Sequence, residues 1–341
     1  MKTHRYLLKR LGAAVVTLFG VSILIFVIAR MVPGDPARIA LGPHASKEAV
    51  EALRERLHLN EPLFVQYWEF LKGVTEGDFG ISLYTNRPVL RDIVELLPAT
   101  LELIFISTIL MIFIGIPLGV LAARFRDGAL DNIARLFSLL GVVTPSFVWA
   151  IFLMLIFAHF LGVLPVAGRL TPGVDPPPTI TGLYLIDSLA TGQWATFRDA
   201  VVHIILPGTA LALAGIGQAA RLTRANVAVS YDRQYIEQAR AYGYNEFKVA
   251  RKYVLRPALI PTLTILGLDI AVKLGNAFLV ESVFAWPGMA RYGVQTILHK
   301  DLNGIVGTVL VIATFFLLIN IVIDLIVAYL EPRIRLGERA G

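Results

Sequence analysis

The sequence predicts an all-α polytopic membrane protein with six transmembrane helices and a small extracytoplasmic subdomain between helices 1 and 2. Three observations carry that expectation. The 341 residues are 56% hydrophobic and only 16% charged, whereas soluble domains run near roughly 45–50% and about 25%. Six apolar stretches, residues 11–29, 99–123, 136–161, 201–220, 258–280 and 305–330, are each long enough to cross a hydrocarbon core about 30 Å thick. Lysine and arginine also concentrate in alternate connections: 18 lie in the 70 residues of 1–10, 124–135, 221–257 and 331–341, against 12 in the 124 residues of 30–97, 162–200 and 286–302. Because basic residues accumulate on the cytoplasmic side, the first set and both termini are placed inside.

The first apolar stretch follows Lys2, Arg5, Lys9 and Arg10 and superficially resembles a secretory signal. Its uncharged core is too long for a cleavable h-region of ~7–15 residues and lacks a small-residue cleavage site, so it is expected to remain as an anchor. The fourth stretch is the weakest, interrupted by Pro207, Gly208 and further glycines, although membrane helices tolerate such breaks. The chain is organised as 1–29, cytoplasmic N-terminus and first helix; 30–97, an extracytoplasmic cap; and 98–341, a core of five further helices.

Segment 30–97 is too long for an ordinary connection and has soluble character, with ten acidic and eight basic residues. Two short helices are expected there. Ser46 can cap one whose Val50, Leu53 and Leu57 share a face, and Pro62 precedes one presenting Leu63, Tyr67 and Phe70. Gly77-Asp78-Phe79-Gly80 and Arg87-Pro88 read as turns returning the chain to the membrane at Pro98. The second external loop, with Pro165, Pro172 and Pro176-Pro177-Pro178, is expected to be irregular.

With no cysteine, disulfides, thiolate metal sites and cysteine nucleophiles are excluded. The net charge of +6 belongs to the cytoplasmic loops; no basic stripe interleaved with aromatics occurs outside the spans, so nucleic acid is not an expected partner. His159 and His203, without a placed carboxylate or thiolate, make an incomplete metal site. No serine–histidine–acid set falls at one membrane depth, and no catalytic residue is assigned. Trp68, Trp149, Trp194 and Trp286 read as core or interface anchors, and the Gly12/Gly20 and Gly115/Gly119 spacings as sites of close helix approach.

The cytoplasmic segment 221–257 carries eight basic and three acidic residues, yet keeps helical apolar spacing and clear stop signals. Asp232 can cap a helix over 234–242, Gly243 suits the left-handed position that ends it, and Asn245 can cap the next helix before Pro257 and Pro261. Ile236, Ala239 or Arg240, and Gly243 form a stripe of helical spacing placed to lie against another protein.

At this point the residues resemble a known family. Glu237-x-Ala239-x-x-x-Gly243 followed by Leu255-Arg256-Pro257-Ala258-Leu259-Ile260-Pro261 is similar to the cytoplasmic signature of ABC-importer permease subunits. The likeness continues through Arg30-Met31-Val32-Pro33-Gly34-Asp35-Pro36, Gly77–Ser82, Thr100-Leu101-Glu102-Leu103, Leu164–Arg169, Glu281–Gly288 and Glu331-Pro332-Arg333-Ile334-Arg335, in the order of the dipeptide/oligopeptide/nickel branch, B-type. Gln238, more often alanine, and Tyr242, often lysine, depart from the pattern. The resemblance implies a six-helix subunit of the type I importer kind in the bacterial inner membrane. It would pair with a second homologous permease, sit on two cytoplasmic ATPases and receive short peptides from an extracytoplasmic solute-binding protein. Nickel complexes, glutathione and oligopeptides are neighbouring substrates. No Gly-x4-Gly-Lys-Ser/Thr loop occurs, so ATP and Mg would be used by the partner chains, and this chain needs no cofactor of its own. Tyr235, Glu237, Ala239, Arg240, Ala241 and Gly243 would form the ATPase-coupling helix, with Ala239 and Ala241 permitting close approach and Gly243 a sharp exit.

Four ionisable residues fall within spans: Glu102, Asp269, Lys273 and Asp324. A charge at a bilayer centre costs ~2.5–3.5 kcal/mol on the mildest scale, so each must face protein, water or a partner. Asp269 and Lys273, spaced i, i+4, are either an internal pair or a contact for a peptide's charged termini. Glu102 is expected near the external end of its helix, reaching water or favouring the helix N-terminus. Asp324 is expected to hold a neighbouring helix. A stand-alone carrier using Asp269/Lys273 as an ion site is the competing class, and a docking helix on the cytoplasmic face argues against it.

Overall fold

The computed structural model describes residues 2–31, 36–42, 44–56 and 58–330. Within these the chain is helical, with one isolated antiparallel bridge between Ile81 and Pro88. Five segments are long and apolar enough to cross a membrane: Arg10–Ile28, Val89–Arg124, Trp194–Tyr231, Glu246–Val283 and Leu302–Ile326. A sixth is a bent pair, Ala129–Val143 and Ser146–Phe160, turned by 108°. The expected straight helix over 136–161 is therefore broken. Pro145 is the cause, because its ring drives the residue before it out of the helical region, and Thr144 sits at φ −83°, ψ 124°.

Contacts divide the chain into two units, Arg10–Leu96 with Tyr292–Phe315, and Met1–Lys9 with Leu97–Arg291 and Phe316–Gly341. In the first, helix α1 (Lys2–Met31) meets α4 (Leu63–Glu76) through Phe26 and Tyr67, whose rings stand 5.3 Å apart edge to face, and through a 2.8 Å hydrogen bond between Ser22 Oγ and Tyr67 Oη. Ile25, Val306 and Leu310 complete that core. Ser46 Oγ accepts from Ala49 N as expected, capping α3 (Lys47–Arg56), but a further helix, α2 (Pro36–Leu41), precedes it. Leu57 and residues 32–35, named above, lie outside the described residues, as does 331–341.

The helix that carries the second span begins before Pro98. Helix α5 (Val89–Leu110) begins nine residues earlier, runs through Pro98, and continues by a π-helical stretch, Met111–Gly115, into α6 (Ile116–Arg124). Pro98 is accommodated by packing: its ring lies against Gly182, which has φ 80° and no side chain to collide with it. α7 (Ala129–Val143) and α8 (Ser146–Leu153) follow, then an irregular loop and α9 (Tyr184–Ala190), a short helix the proline-rich sequence concealed.

The weakest span in the sequence is the most enclosed in the fold. Helix α10 (Trp194–Tyr231) runs unbroken through Pro207 for 38 residues, with 72% of its apolar window buried. It packs on α6, α7, α8 and on α13 (Arg256–Val283). Small residues allow this: a Cβ on Gly119 would lie 2.5 Å from Ala220 O, and one on Gly217 2.6 Å from Ser138 O. Gly115 and Gly119 thus serve close approach as expected, whereas a Cβ on Gly12 or Gly20 meets nothing within 4 Å. α11 (Gln234–Ala241), α12 (Glu246–Lys248), a π-helical stretch (Val249–Leu255), α14 (Met289–Leu298) and α15 (Leu302–Leu330) complete the order.

Replacing Gly119 by valine should abolish monodisperse protein in fluorescence-detected size exclusion. Replacing Gly20 by valine should leave yield and elution unchanged.

Candidate functional site

The cytoplasmic helix is built almost as its residues predict. α11 ends where Gly243 takes φ 77°, and two reverse hydrogen bonds close it: Gly243 N donates to Arg240 O (2.9 Å) and Tyr244 N to Ala239 O (3.2 Å). This is the Schellman arrangement, which satisfies carbonyls that a helix end leaves open. Asn245 Oδ1 accepts from Lys248 N at 2.8 Å and starts α12. One cap differs: Arg233, not Asp232, stands before the helix, with no side-chain hydrogen bond.

The orientation of α11 corrects the stripe reading. Ile236 and Ala239 turn inward, into a cluster with Ala123, Val227, Val249, Val254 and Ala258 of the same chain. Ala239 therefore allows close approach to the protein's own helices. The outward side carries Tyr235, Glu237, Gln238, Ala241 and Tyr242, with Phe247 beside it; Tyr242 is 81% and Phe247 74% exposed. Arg240 is exposed too, but its guanidinium is held by the Glu246 carboxylate, Nε to Oε1 at 2.7 Å, and that hydrogen bond raises its pKa above the ordinary arginine value. Lys248 Nζ lies 3.9 Å from the centroid of Tyr244, which stacks on Tyr253. Phe247 was missed because a single aromatic after a helix stop has no periodicity to mark it.

Three of the four intramembrane charges are seen in ion pairs. Asp269 and Lys273 form an ion pair on α13, and Lys273 Nζ also lies 3.3 Å from Met111 Sδ. Gly215 of α10 leaves room for this cluster, since a Cβ there would stand 2.8 Å from Asp269 Oδ2 and 2.9 Å from Lys273 Nζ. Lys273 is buried and Asp269 partly so, which makes the cluster a junction of three helices. Asp324 is partly buried on α15.

Glu102 does not reach water. It is 4% exposed, and Arg169 Nη2 donates to its Oε2 at 2.6 Å, while Leu185 N donates to Oε1 at 2.7 Å. Arg169 also donates to Gly182 O and covers the Tyr184 ring, with Cζ 3.4 Å from the centroid. The carboxylate thus caps α9 and fixes the external loop. Asp187 finishes that loop: burial tends to raise its pKa, but hydrogen bonds from Thr181 Oγ1 and from the amides of Thr181, Ile180 and Gly182 outweigh it and hold the carboxyl below its usual value.

Glu281, outside the expected span, is buried as well. Thr100 Oγ1 donates to its Oε1 (2.5 Å) and Arg291 N to its Oε2 (2.7 Å), while Met289 N donates to Thr100 Oγ1 and Trp286 Nε1 to Ala99 O. Gly288 lies directly on the carboxylate, where any Cβ would overlap it. Of the four tryptophans, Trp286 is the buried anchor, whereas Trp68 and Trp194 are exposed. His203 Nδ1 lies 2.9 Å from Asp199 O, and no group of three histidines or carboxylates suited to a metal occurs among the described residues.

A multi-pass helical membrane subunit with a helix presented on one face is the class this arrangement defines. The chain belongs to the family described as the binding-protein-dependent transport system inner membrane component, whose profile matches residues 115–336, with the N-terminal component profile of the same system matching 3–104. It is 39% identical over 329 residues to the probable D,D-dipeptide transport system permease protein DdpB of Escherichia coli K12, covering 96% of this chain and 97% of that one. It is also 39% identical to the dipeptide permease protein DppB of Alkalihalophilus pseudofirmus (97% and 99% covered). To the glutathione permease protein GsiC of Shigella flexneri it is 34% identical (97% and 98%). The chain is accordingly an inner-membrane transport component of an ABC importer.

Breaking the Glu102–Arg169 pair strands a buried charge, a loss of about 3–5 kcal/mol. Glu102→Ala and Arg169→Ala should each lower the apparent unfolding temperature in detergent by far more than the double exchange to methionine does. For Asp269 and Lys273, swapping the two residues should retain expression better than neutralising either one. Equal loss in all three variants would show they are not partners.

Proposed function

We propose that this chain is the membrane-spanning permease of an ATP-driven importer of short peptides, with dipeptide-like substrates handed to it by an extracytoplasmic binding protein. It pairs with a second homologous permease, and two cytoplasmic ATPases dock on α11. ATP and Mg are bound by those partners, and this chain contributes no catalytic group. Both termini lie in the cytoplasm, a reading that the distribution of basic residues supports.

The observation that carries the reading is the outward face of α11, where Tyr235, Tyr242 and Phe247 stand exposed on a segment whose inner face is packed into the ends of α6, α10 and α13. Exposed aromatics on a rigid support are the usual anchors of a protein interface. Motion imposed on them passes to the spans without an intervening flexible linker. The dipeptide relatives favour peptides, and the glutathione relative makes a γ-linked tripeptide the second reading.

Affinity purification of tagged chain from its native membrane should recover a second permease and two ATPases. Recovery of this chain alone, still carrying flux, would refute the ATP-coupled reading. Tyr242→Ala combined with Phe247→Ala should weaken ATPase association about tenfold or more. Gly243→Leu forces a side chain into the left-handed region and should uncouple ATP hydrolysis from uptake while membrane insertion persists. Normal uptake in that variant would count against the lever.

A further inference from the structure

A cavity of about 490 Å³ opens between α6, α7 and α10 at the end of the bundle nearest the basic connections. Four arginines line it, Arg126, Arg135, Arg221 and Arg224, with Asp127 beside them and walls that are otherwise chiefly alanine. Beneath it lies Asp131, fully buried. Arg224 grips that carboxylate with two hydrogen bonds, Nε to Oδ1 and Nη2 to Oδ2 (2.5 and 2.7 Å). Arg135 Nη2 donates to Asp131 Oδ2 at 2.6 Å and to Asp127 Oδ1 at 2.9 Å.

This knot fixes two guanidiniums without exhausting them. A guanidinium has five N–H donors in a rigid fork, and each of these uses only part of its set on the acids. Arg126 touches Asp127 only at 3.7 Å, and Arg221 has no ion pair or side-chain hydrogen bond among the described residues. Four positive charges thus face two negative ones, and the surplus is directed into an open cavity. The adjoining outer face of α7 is apolar, with Leu136, Leu139, Leu140 and Val143 all exposed. A pocket that joins spare guanidinium donors to an apolar helix face suits a ligand that is anionic at one end and hydrocarbon at the other.

We propose that this cavity binds the phosphodiester headgroup of an anionic phospholipid from the cytoplasmic leaflet, with the acyl chains along α7. Basic pockets between transmembrane helices on the cytoplasmic side are suited to such headgroups, and arginine forks match phosphate oxygens. The site is separate from α11 and from the transported substrate. Its side assignment rests on the orientation given above.

The test uses the complete transporter, with its partner chains, in nanodiscs of phosphatidylcholine alone or doped with phosphatidylglycerol, and native mass spectrometry to count retained lipids. Wild-type complex should retain phosphatidylglycerol selectively. Arg126→Gln with Arg221→Gln leaves the Asp131 knot intact and should weaken that retention about thirtyfold, from two lost charges near the surface. Arg251→Gln with Lys252→Gln, two exposed charges outside the cavity, should weaken it far less. Equal losses in the two double variants would reduce the effect to general surface attraction and overturn the site. Saturation of the same site by inorganic phosphate, with no preference for the lipid, would overturn the lipid assignment. Thermal unfolding of the variants without added lipid checks folding, and a wild-type value is expected.

Discussion

Close backbone contact between α10 and its neighbours is the constraint on which this structure depends. In lipid, helices gain little by hiding apolar surface from one another, so association relies on van der Waals contact that small residues permit. Gly115, Gly119, Gly141 and Gly217 each sit where a Cβ would come within 3 Å of a facing helix. Gly208, Gly215 and Gly217, which make 201–220 a poor helix by propensity, are therefore part of what lets neighbours approach it closely. Its carboxyl end then fixes where α11 begins, because only Asp232 and Arg233 separate the two helices.

The polar groups enforce the same arrangement more selectively. A buried charge in an apolar surrounding is costly alone and tolerable when paired and hydrogen-bonded. Glu102 with Arg169, Asp131 with Arg224 and Arg135, and Asp269 with Lys273 each obey that rule. Two of the three join segments distant in sequence, so they specify which segments meet rather than how strongly. Glu281 acts similarly through hydrogen bonds alone, holding Thr100 and the start of α14 in one place.

Local features were legible in the sequence because their causes are local. Gly243, Asn245 and Ser46 sit at their termini because only backbone conformation and side-chain reach within a few residues decide those positions. Span count and the Asp269–Lys273 pairing follow from hydropathy and helical spacing in the same way. The partner of Glu102 was not legible, since Arg169 lies 67 residues away in an irregular loop. The break at Thr144 had a visible signal in Pro145, but an apolar run continues through it and conceals the bend. The direction of the Ile236/Ala239 stripe was illegible for another reason: a helical stripe marks a buried face without saying whose surface covers it.

That inward stripe bears most directly on mechanism. Ile236 and Ala239 share one buried cluster with residues of α6, α10 and α13, and α11 is closed at its far end by a Schellman turn and an asparagine cap. On the proposed function, a displacement of α11 would press on a cluster that three helix ends share. α13 leads from there to Asp269 and Lys273, and Lys273 reaches Met111 at the π-helical stretch between α5 and α6. Packed cores and paired charges shift between discrete arrangements more readily than they deform. The cluster that holds α11 and the polar junction at Met111 therefore both involve α13, which on the proposed function is the helix through which movement of α11 would reach the membrane interior.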